Sequence, residues 1–462
     1  MKMYSPKDIV RSGLCIGCGI CVAYAERHDT KMKFDRYGQL KPAGPGEWLN
    51  HRSEEFSNIC PFSPGSKNED ELSLQQFEED GQLDASIGFY LSNFVGHVAE
   101  DNYRMQGSSG GMVTWVATEL MRKKYIDGVA HVVAVDDPQT EGRFFRYRIS
   151  FSEQDVQEGA KSRYYPVELS EVLNFIRKKP GRYAVVAIPC MIKAVHLLRQ
   201  KDPVLKERIK FTLGLFCGHM KSSRFVESFA WHMKVPVKEV TRVDYRYKFP
   251  DRPANWYNTM LTLKSGVTVH KDWWHLRDGD WGAGYFMNSA CNFCDDVVAE
   301  TADISFGDAW VEPYSSDGRG TNVVIVRSSI ILDIISTGRI ETRLSLKEVS
   351  SEFVAQTQAA GLRQRREGLA YRLTWASQGI QPLKRIKPDN SSLSASRKII
   401  YHLRYQISKW SHRLFWLARK MGMPVIYLIW ARLATSVYFG VAYHKSSFGE
   451  MRKRFKELGD SA

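Results

Sequence analysis

The sequence predicts an α/β protein: an N-terminal cysteine-bearing segment, a central mostly parallel sheet with flanking helices, a strand-rich second half and a helical C-terminal tail. Three observations lead there. Between residues 85 and 235, short continuously apolar runs alternate with helical periodicity, the pattern of βαβ units whose strands are buried on both faces. Eight cysteines all lie before residue 295, in spacings suited to metal chemistry. From Gln381 onward there are 16 Lys/Arg against 4 Asp/Glu, so the tail carries a net +12 of the chain's +14.

The 462 residues allow two to four domains. Hydrophobic residues at 43% and charged residues at 25% exclude a disordered, collagen-like or disulfide-stapled chain. Because the body before the tail is near neutral, the overall basicity does not argue for nucleic acid, and none is expected as a partner.

Residues 1–66, punctuated by Pro42, Pro45, Pro61 and Pro64, read as a loop-rich, ferredoxin-like cysteine segment. Residues 67–84 are acidic and polar, a linker or an exposed helix. In 85–235, Val113, Val116, Ala117 and Leu120 repeat at helical spacing after Met112. Ala130–Val135, Tyr183–Ile188 and Ile209–Phe216 read as buried strands, with a helical run at Met191–Arg199. Residues 236–380 are strand-rich. Asn255–Lys264 and Val267–His270 form a hairpin around Ser265-Gly266, and Ala302–Trp310 and Asn322–Arg327 are further strands. Residues 381–396 read as a Pro/Ser-rich linker, and 397–462 as the tail.

Met1–Gly13 lacks the apolar run of a secretory leader, so the chain is expected in the reducing cytoplasm, where stable disulfides are uncommon. The cysteines then need another role. Cys15, Cys18 and Cys21 form a CxxCxxC run with Gly17 and Gly19 between them. Three thiolates at this spacing can wrap one corner of a 4Fe–4S cube, as in bacterial ferredoxins. The position where those proteins carry a fourth cysteine is Ala25 here, which leaves Cys60-Pro61 to supply the fourth ligand. Zinc is the alternative, although it more often uses paired short knuckles.

Cys190 and Cys217 each follow an apolar strand and lie 27 residues apart, about one βαβ unit. Neighbouring parallel strands would bring both to the carboxyl edge of the sheet, where open α/β sheets bind ligands. Cys291 and Cys294 add a CxxC and complete a second set of four, read as a second 4Fe–4S cluster. The alternative is that Cys190 and Cys217 are ordinary core cysteines.

No phosphate-binding P-loop, no GxGxxG fingerprint, no HExxH and no GxSxG elbow occurs. Ser108-Ser109-Gly110-Gly111 instead precedes the helix at Met112. Such an N-terminus offers free backbone N–H groups to an anion such as a flavin pyrophosphate, or is an ordinary helix cap.

Taken together, CIGCGICVA, SSGGMVTWVATELMRKKYIDGV, KSRYYPVEL, YAVVAIPCMIKAVHLLR, GLFCGH, CNFCDD and ADISFGDAW resemble the family of coenzyme F420 hydrogenase and dehydrogenase beta subunits. That family includes formate dehydrogenase beta subunits and 7-hydroxymethyl chlorophyll a reductase. The resemblance spans about residues 13–310. It implies FAD with one or two 4Fe–4S clusters, hydride chemistry at the flavin and single electrons through the clusters. It also implies flavin-binding roles for Ser108, Ser109, Gly110, Gly111 and Thr114, for Lys161, Ser162, Arg163 and Tyr164, and for Arg246 and Lys248, which with Tyr245 match a polar strand beside the site. The electron carrier would be deazaflavin coenzyme F420 or ferredoxin, and another subunit is a further redox partner. The flavin performs the chemistry, so no catalytic acid or base is named. Two other classes stay open: an electron-transfer subunit with no catalysis of its own, and a zinc-stabilised, membrane-associated binding protein.

The family's C-terminus is shorter, so the tail must be read alone. Ile399, Leu403, Ile407, Trp410, Leu414, Leu417 and Met421 recur every three or four residues with basic residues between them. Pro424–Tyr443 carries one formal charge, Arg432. Residues 397–445 could dock on the inner membrane face, pack on the body or a partner, or span a bilayer. Since no cysteine lies beyond residue 294, the tail is expected to be dispensable for clusters and flavin.

Overall fold

A computed structural model describes residues 2–77, 81–375 and 379–444. Of the regions delineated above, the end of the tail from residue 445 and the short stretches 78–80 and 376–378 lie outside the described residues.

The centre is an eight-stranded sheet. Its order is Leu344–Glu348, Ser92–Val98, Asn322–Val326, Ile304–Asp308, Ile209–Leu215, Tyr183–Ala187, Gly128–Ala134, Phe145–Ser150. The four inner strands from Ile304–Asp308 to Gly128–Ala134 run parallel, and every pairing outside them is antiparallel. The parallel expectation therefore holds for the middle of the sheet, and the edges are mixed. Strands from 85–235 and from 236–380 share this sheet. The expected hairpin is present as Asn258–Leu263 and Thr268–Asp272, extended by Val240–Asp244 into a separate three-stranded sheet.

Continuous apolar strands are buried on both faces. In Tyr183–Ala187, Tyr183, Val185 and Ala187 point into one core, and Ala184 and Val186 into the other. The second core is closed by the helices Met112–Arg122 and Ser329–Ile340, through Trp115, Val116, Leu120, Ile331, Ile334 and Ile335. The first is closed by Pro189–Arg199 and by the tail. Each large apolar side chain buried this way contributes about 1.5–3 kcal/mol.

Two stretches read as linkers are built into the body. Glu69–Phe77 is a helix with Leu72 and Phe77 buried, and its Glu69 pairs with buried Lys193 at 3.3 Å. In 381–396, Lys384 reaches Asp295 at 3.1 Å and Arg385 reaches Glu300 at 2.6 Å.

The tail is a helical hairpin, Ala395–Lys420 and Pro424–Ala442, packed along the body. Its buried face is not the apolar stripe. Tyr401, Arg404, Ser408, Ser411, His412 and Phe415 face inward with Ile407, and Ile399, Trp410, Leu417 and Met421 stay exposed. Hydrogen bonds explain this: Ser411 Oγ accepts from the Phe286 N–H at 2.9 Å, and Ser408 Oγ donates to Met287 O at 3.0 Å. Phe415 and Tyr427 belong to the core that contains Cys18, Cys190, Cys291 and Cys294, which argues against the expectation of a dispensable tail.

Candidate functional site

The first four cysteines converge. Cys18 precedes Gly19, which caps the helix Ile20–Ala25 in the left-handed region (φ 82°), and Gly17 has φ 84°. A side chain at Gly17 would meet Leu40 O at 2.6 Å, so only glycine lets this loop curl. Cys60 ends the helix Glu54–Ile59. Burial raises the Cys18 thiol, and the nearby Cys60 and Cys15 raise it further. Burial likewise raises Cys21, followed by Cys18, Cys15 and Cys60. Cys60 is pushed up to about 12, burial outweighing the backbone of Phe62 and Ser63, which pulls the other way.

The second four also converge. Cys190 opens the helix after Tyr183–Ala187, and Cys217 follows the adjacent parallel strand Ile209–Leu215. Cys291 lies in the 3-10 turn Ser289–Phe293, which Cys294 ends. Burial raises Cys190 far above the usual thiol range, and Cys294, Cys217 and Cys291 add to it, with Cys18 of the first set next. The two sets are therefore neighbours. The Met220 N–H donates to Cys291 Sγ at 3.3 Å. Cys294 is pushed up to about 11 by burial, against the pull of Arg365 and Lys384.

Arg365 was not legible in the sequence, where it falls at the end of the region read as strand-rich and no motif marks it. It is buried and donates to Cys291 O at 2.7 Å and Cys294 O at 3.3 Å. Burial opposes its charge, but Cys294, Cys291, Cys217 and Cys190 outweigh burial and hold the guanidinium above its ordinary range.

Beside the second set opens a cavity of about 930 Å³, at the upper end of small-molecule sites. Ser108, Ser109, Gly111, Thr114, Lys161, Ser162, Arg163, Tyr164 and Arg246 line it, and so does Cys217. Two stretches distant in sequence are tied together here, because the Ser162 N–H donates to Ser108 Oγ at 2.8 Å. Gly111 caps Met112–Arg122 at φ 88°, and the Met112 N–H donates to Asn322 Oδ1 at 3.1 Å. Arg163 is half-buried, lies over Phe145 at 5.1 Å and leaves its buried Nε without a partner. Arg246 forms a two-pronged pair with Asp308 at 2.9 and 3.1 Å. Burial opposes its charge, and Asp308 more than restores it.

Gly110, Lys248 and Tyr245 do not line the cavity. Gly110 faces the sheet, where a side chain would meet Gly96 O at 2.7 Å, so an aspartate there would test packing rather than a ligand. Lys248 Nζ donates to Ser109 O at 2.8 Å and Arg319 O at 2.6 Å, and so holds the serine loop from behind. Tyr245 is fully buried in the core. The rest of the wall is aromatic and basic: Trp273, Trp281, Trp310, His219, Lys221 and Arg404. His219 stacks on Trp281 at 4.2 Å. The tail contributes Thr435, Phe439 and Tyr443 as well as Arg404. Only the high tryptophan content hinted at this wall in the sequence. Among the described residues, no group of three or more His, Cys, Asp or Glu side chains has the arrangement that holds a metal ion.

The fold and site define an α/β protein with two sets of buried and half-buried thiols and a large cavity at the carboxyl edge of its parallel strands. Family models described as the N-terminal and C-terminal parts of the coenzyme F420 hydrogenase/dehydrogenase beta subunit match residues 93–174 and 181–352. These ranges cover more than half of the chain, which belongs to that family. Among relatives, an uncharacterised protein of Methanocaldococcus jannaschii is 25% identical over 71% of this chain and 88% of its own length. A subunit of the F420H2 dehydrogenase of Methanosarcina mazei is 21% identical over 70% of this chain and 82% of its own. A coenzyme F420-dependent sulfite reductase of M. jannaschii is 21% identical over 76% of this chain, but only 50% of that longer protein. A chain of the F420-reducing NiFe hydrogenase complex from Methanosarcina barkeri is similar at a TM-score of 0.49 and 17% identity, over 65% of this chain and 98% of that one.

Proposed function

We propose that this chain is a flavin- and iron–sulfur-dependent oxidoreductase subunit. It would pass electrons between deazaflavin coenzyme F420, or ferredoxin, and a redox partner subunit. One observation carries the reading: Cys15, Cys18, Cys21 and Cys60 act on one another, as do Cys190, Cys217, Cys291 and Cys294, and Cys217 also lines the cavity. The names of the relatives support the F420 link.

The residues present fit the groups. Buried thiols this reluctant to ionise become ligands only where a cationic centre takes the thiolate. The Met220 N–H that bonds Cys291 and the guanidinium of Arg365 offset the negative charge of such a centre. The orphaned Nε of Arg163 suits an anionic pyrophosphate. When bound, FAD exchanges a hydride or electron pair, and 4Fe–4S clusters carry single electrons.

The chain's own part is placement. Lys161, held by Asp244 at 3.1 Å, keeps a positive charge at the serine loop. Tyr164, Trp273 and Trp281 form an edge-packed wall that excludes water from one side of the cavity. Arg246, fixed by Asp308, presents a cation that cannot swing away.

Anaerobic purification with iron, sulfide and flavin analysis tests the reading. The expected result is a brown protein with FAD and about eight irons per chain, bleached by dithionite. Zinc in place of iron and sulfide would overturn it. Arg163→Ala is expected to weaken FAD binding at least about tenfold, since a buried charge-assisted hydrogen bond contributes about 1.5–3 kcal/mol. Flavin retention on gel filtration measures it. Arg365→Met is expected to lower the reduction potential of one cluster, because a buried cation favours the added electron. It should also lower the melting temperature, since the Cys291 and Cys294 carbonyls lose their donor. A potentiometric titration followed by electron paramagnetic resonance separates the two effects.

A further inference from the structure

The hairpin has a second face, and it is apolar. Val425, Ile429, Leu433 and Val437 run along the outer side of Pro424–Ala442 at four-residue spacing, each 47–62% exposed. Trp410 and Leu417 are exposed on the neighbouring helix. The turn between the helices carries Met421 and Met423, also exposed. Exposed apolar side chains repeated along one helix face mark a contact with something apolar.

The charges around it have one sign. From residue 395 to 444 there are eight Lys/Arg and no Asp or Glu. Arg404 is buried, Arg397 pairs with Glu367 and Arg419 with Glu227. Among the described residues, no ion pair reaches Lys409, Arg413, Lys420 or Arg432. Arg413 and Lys420 instead rest over Trp410 and Trp416, at 5.4 and 5.5 Å.

We propose that this outer face binds an anionic bilayer surface, with the hairpin lying in the plane of the membrane. The apolar stripe would enter the headgroup–acyl boundary and the free basic residues would meet lipid phosphates, the arrangement of interfacial helices. Charge complementarity selects this occupant, since an apolar face rimmed by unpaired cations suits anionic headgroups. The helix Pro424–Ala442 is long and apolar enough to cross a bilayer, yet its inner face is tied to the body. Tyr427 donates to Asp278 at 2.8 Å, Thr435 to Arg277 O at 2.7 Å, and Ala431 O accepts from Tyr285 at 3.0 Å. A span would break all three, whereas in-plane binding keeps them. The same helix lines the cavity with Thr435 and Phe439, so binding would bring that wall close to the lipid.

The test is flotation of the full chain with vesicles of phosphatidylcholine alone and of phosphatidylcholine with an equal share of phosphatidylglycerol. The expected result is flotation with the anionic vesicles, and binding at least about tenfold weaker for Ile429→Asp/Leu433→Asp and for Lys409→Glu/Lys420→Glu. Both variants change exposed positions, and unaltered iron and flavin contents in the same preparations would show that they fold. A chain that ignores anionic vesicles, or variants that float like the original, would overturn the proposal. So would a change from a larger to a smaller species on gel filtration for Ile429→Asp/Leu433→Asp without any vesicle binding, which would assign the face to a protein contact.

Discussion

Deletion of residues 390–462 is expected to give an insoluble or unfolded chain, not a soluble body with its cofactors. The hairpin's inner face places Ile407, Phe415, Tyr427 and Tyr438 in the core shared with both thiol sets. At about 1.5–3 kcal/mol for each large side chain, these four contribute about 6–12 kcal/mol. That matches the whole stability of an ordinary domain, about 5–15 kcal/mol. Polar losses add to it. Phe415 stacks on Trp231 at 4.1 Å, and Asp278, fully buried, would lose its bond from Tyr427. The cavity would lose Arg404, Phe439 and Tyr443 from its wall. Soluble yield with iron and flavin content measures the outcome. A soluble truncated protein with full contents would show that the hairpin is only laid on the surface.

That result was hidden from the sequence for a physical reason. Helical periodicity shows which residues share a face, but not which face finds the better partner. Here the polar side wins, because Ser408, Ser411 and His412 meet backbone groups of Phe286 and Met287 that would otherwise be unsatisfied. The cysteines were legible for the opposite reason. Their spacing, and the positions of Cys190 and Cys217 after two apolar strands, depend only on local structure and on the side-by-side order of parallel strands. The strands themselves were legible from apolar runs. Their arrangement was less so, because Ser92–Val98 and Asn322–Val326, far apart in sequence, pair at the antiparallel side of the sheet. Gly110 and Lys248 show the limit of a motif. Both sit within or against the stretch that lines the cavity, but one packs on strands and the other supports the loop from behind.

Cys18→Ser and Cys294→Ser are each expected to halve the iron content, from about eight to about four per chain, and to remove different resonances. Serine keeps the size of cysteine but does not supply the thiolate that iron–sulfur centres require. The two sets differ in surroundings, so the losses should differ in kind. Cys18 lies in a loop whose shape depends on Gly17 and Gly19, away from the cavity, so FAD content should persist when it is changed. Cys294 shares Arg365 with Cys217, and Cys217 forms part of the cavity wall. Changing Cys294 removes the first of the four sulfurs that hold the charge of the buried Arg365 guanidinium, a cost beyond the missing ligand alone. Weaker FAD retention and a lower melting temperature are therefore expected for Cys294→Ser than for Cys18→Ser. Unchanged iron in Cys294→Ser would show that the second set holds no cluster. Loss of all iron in both variants would show instead that the neighbouring sets assemble as one unit, consistent with the place of Cys18 among the groups that act on Cys190.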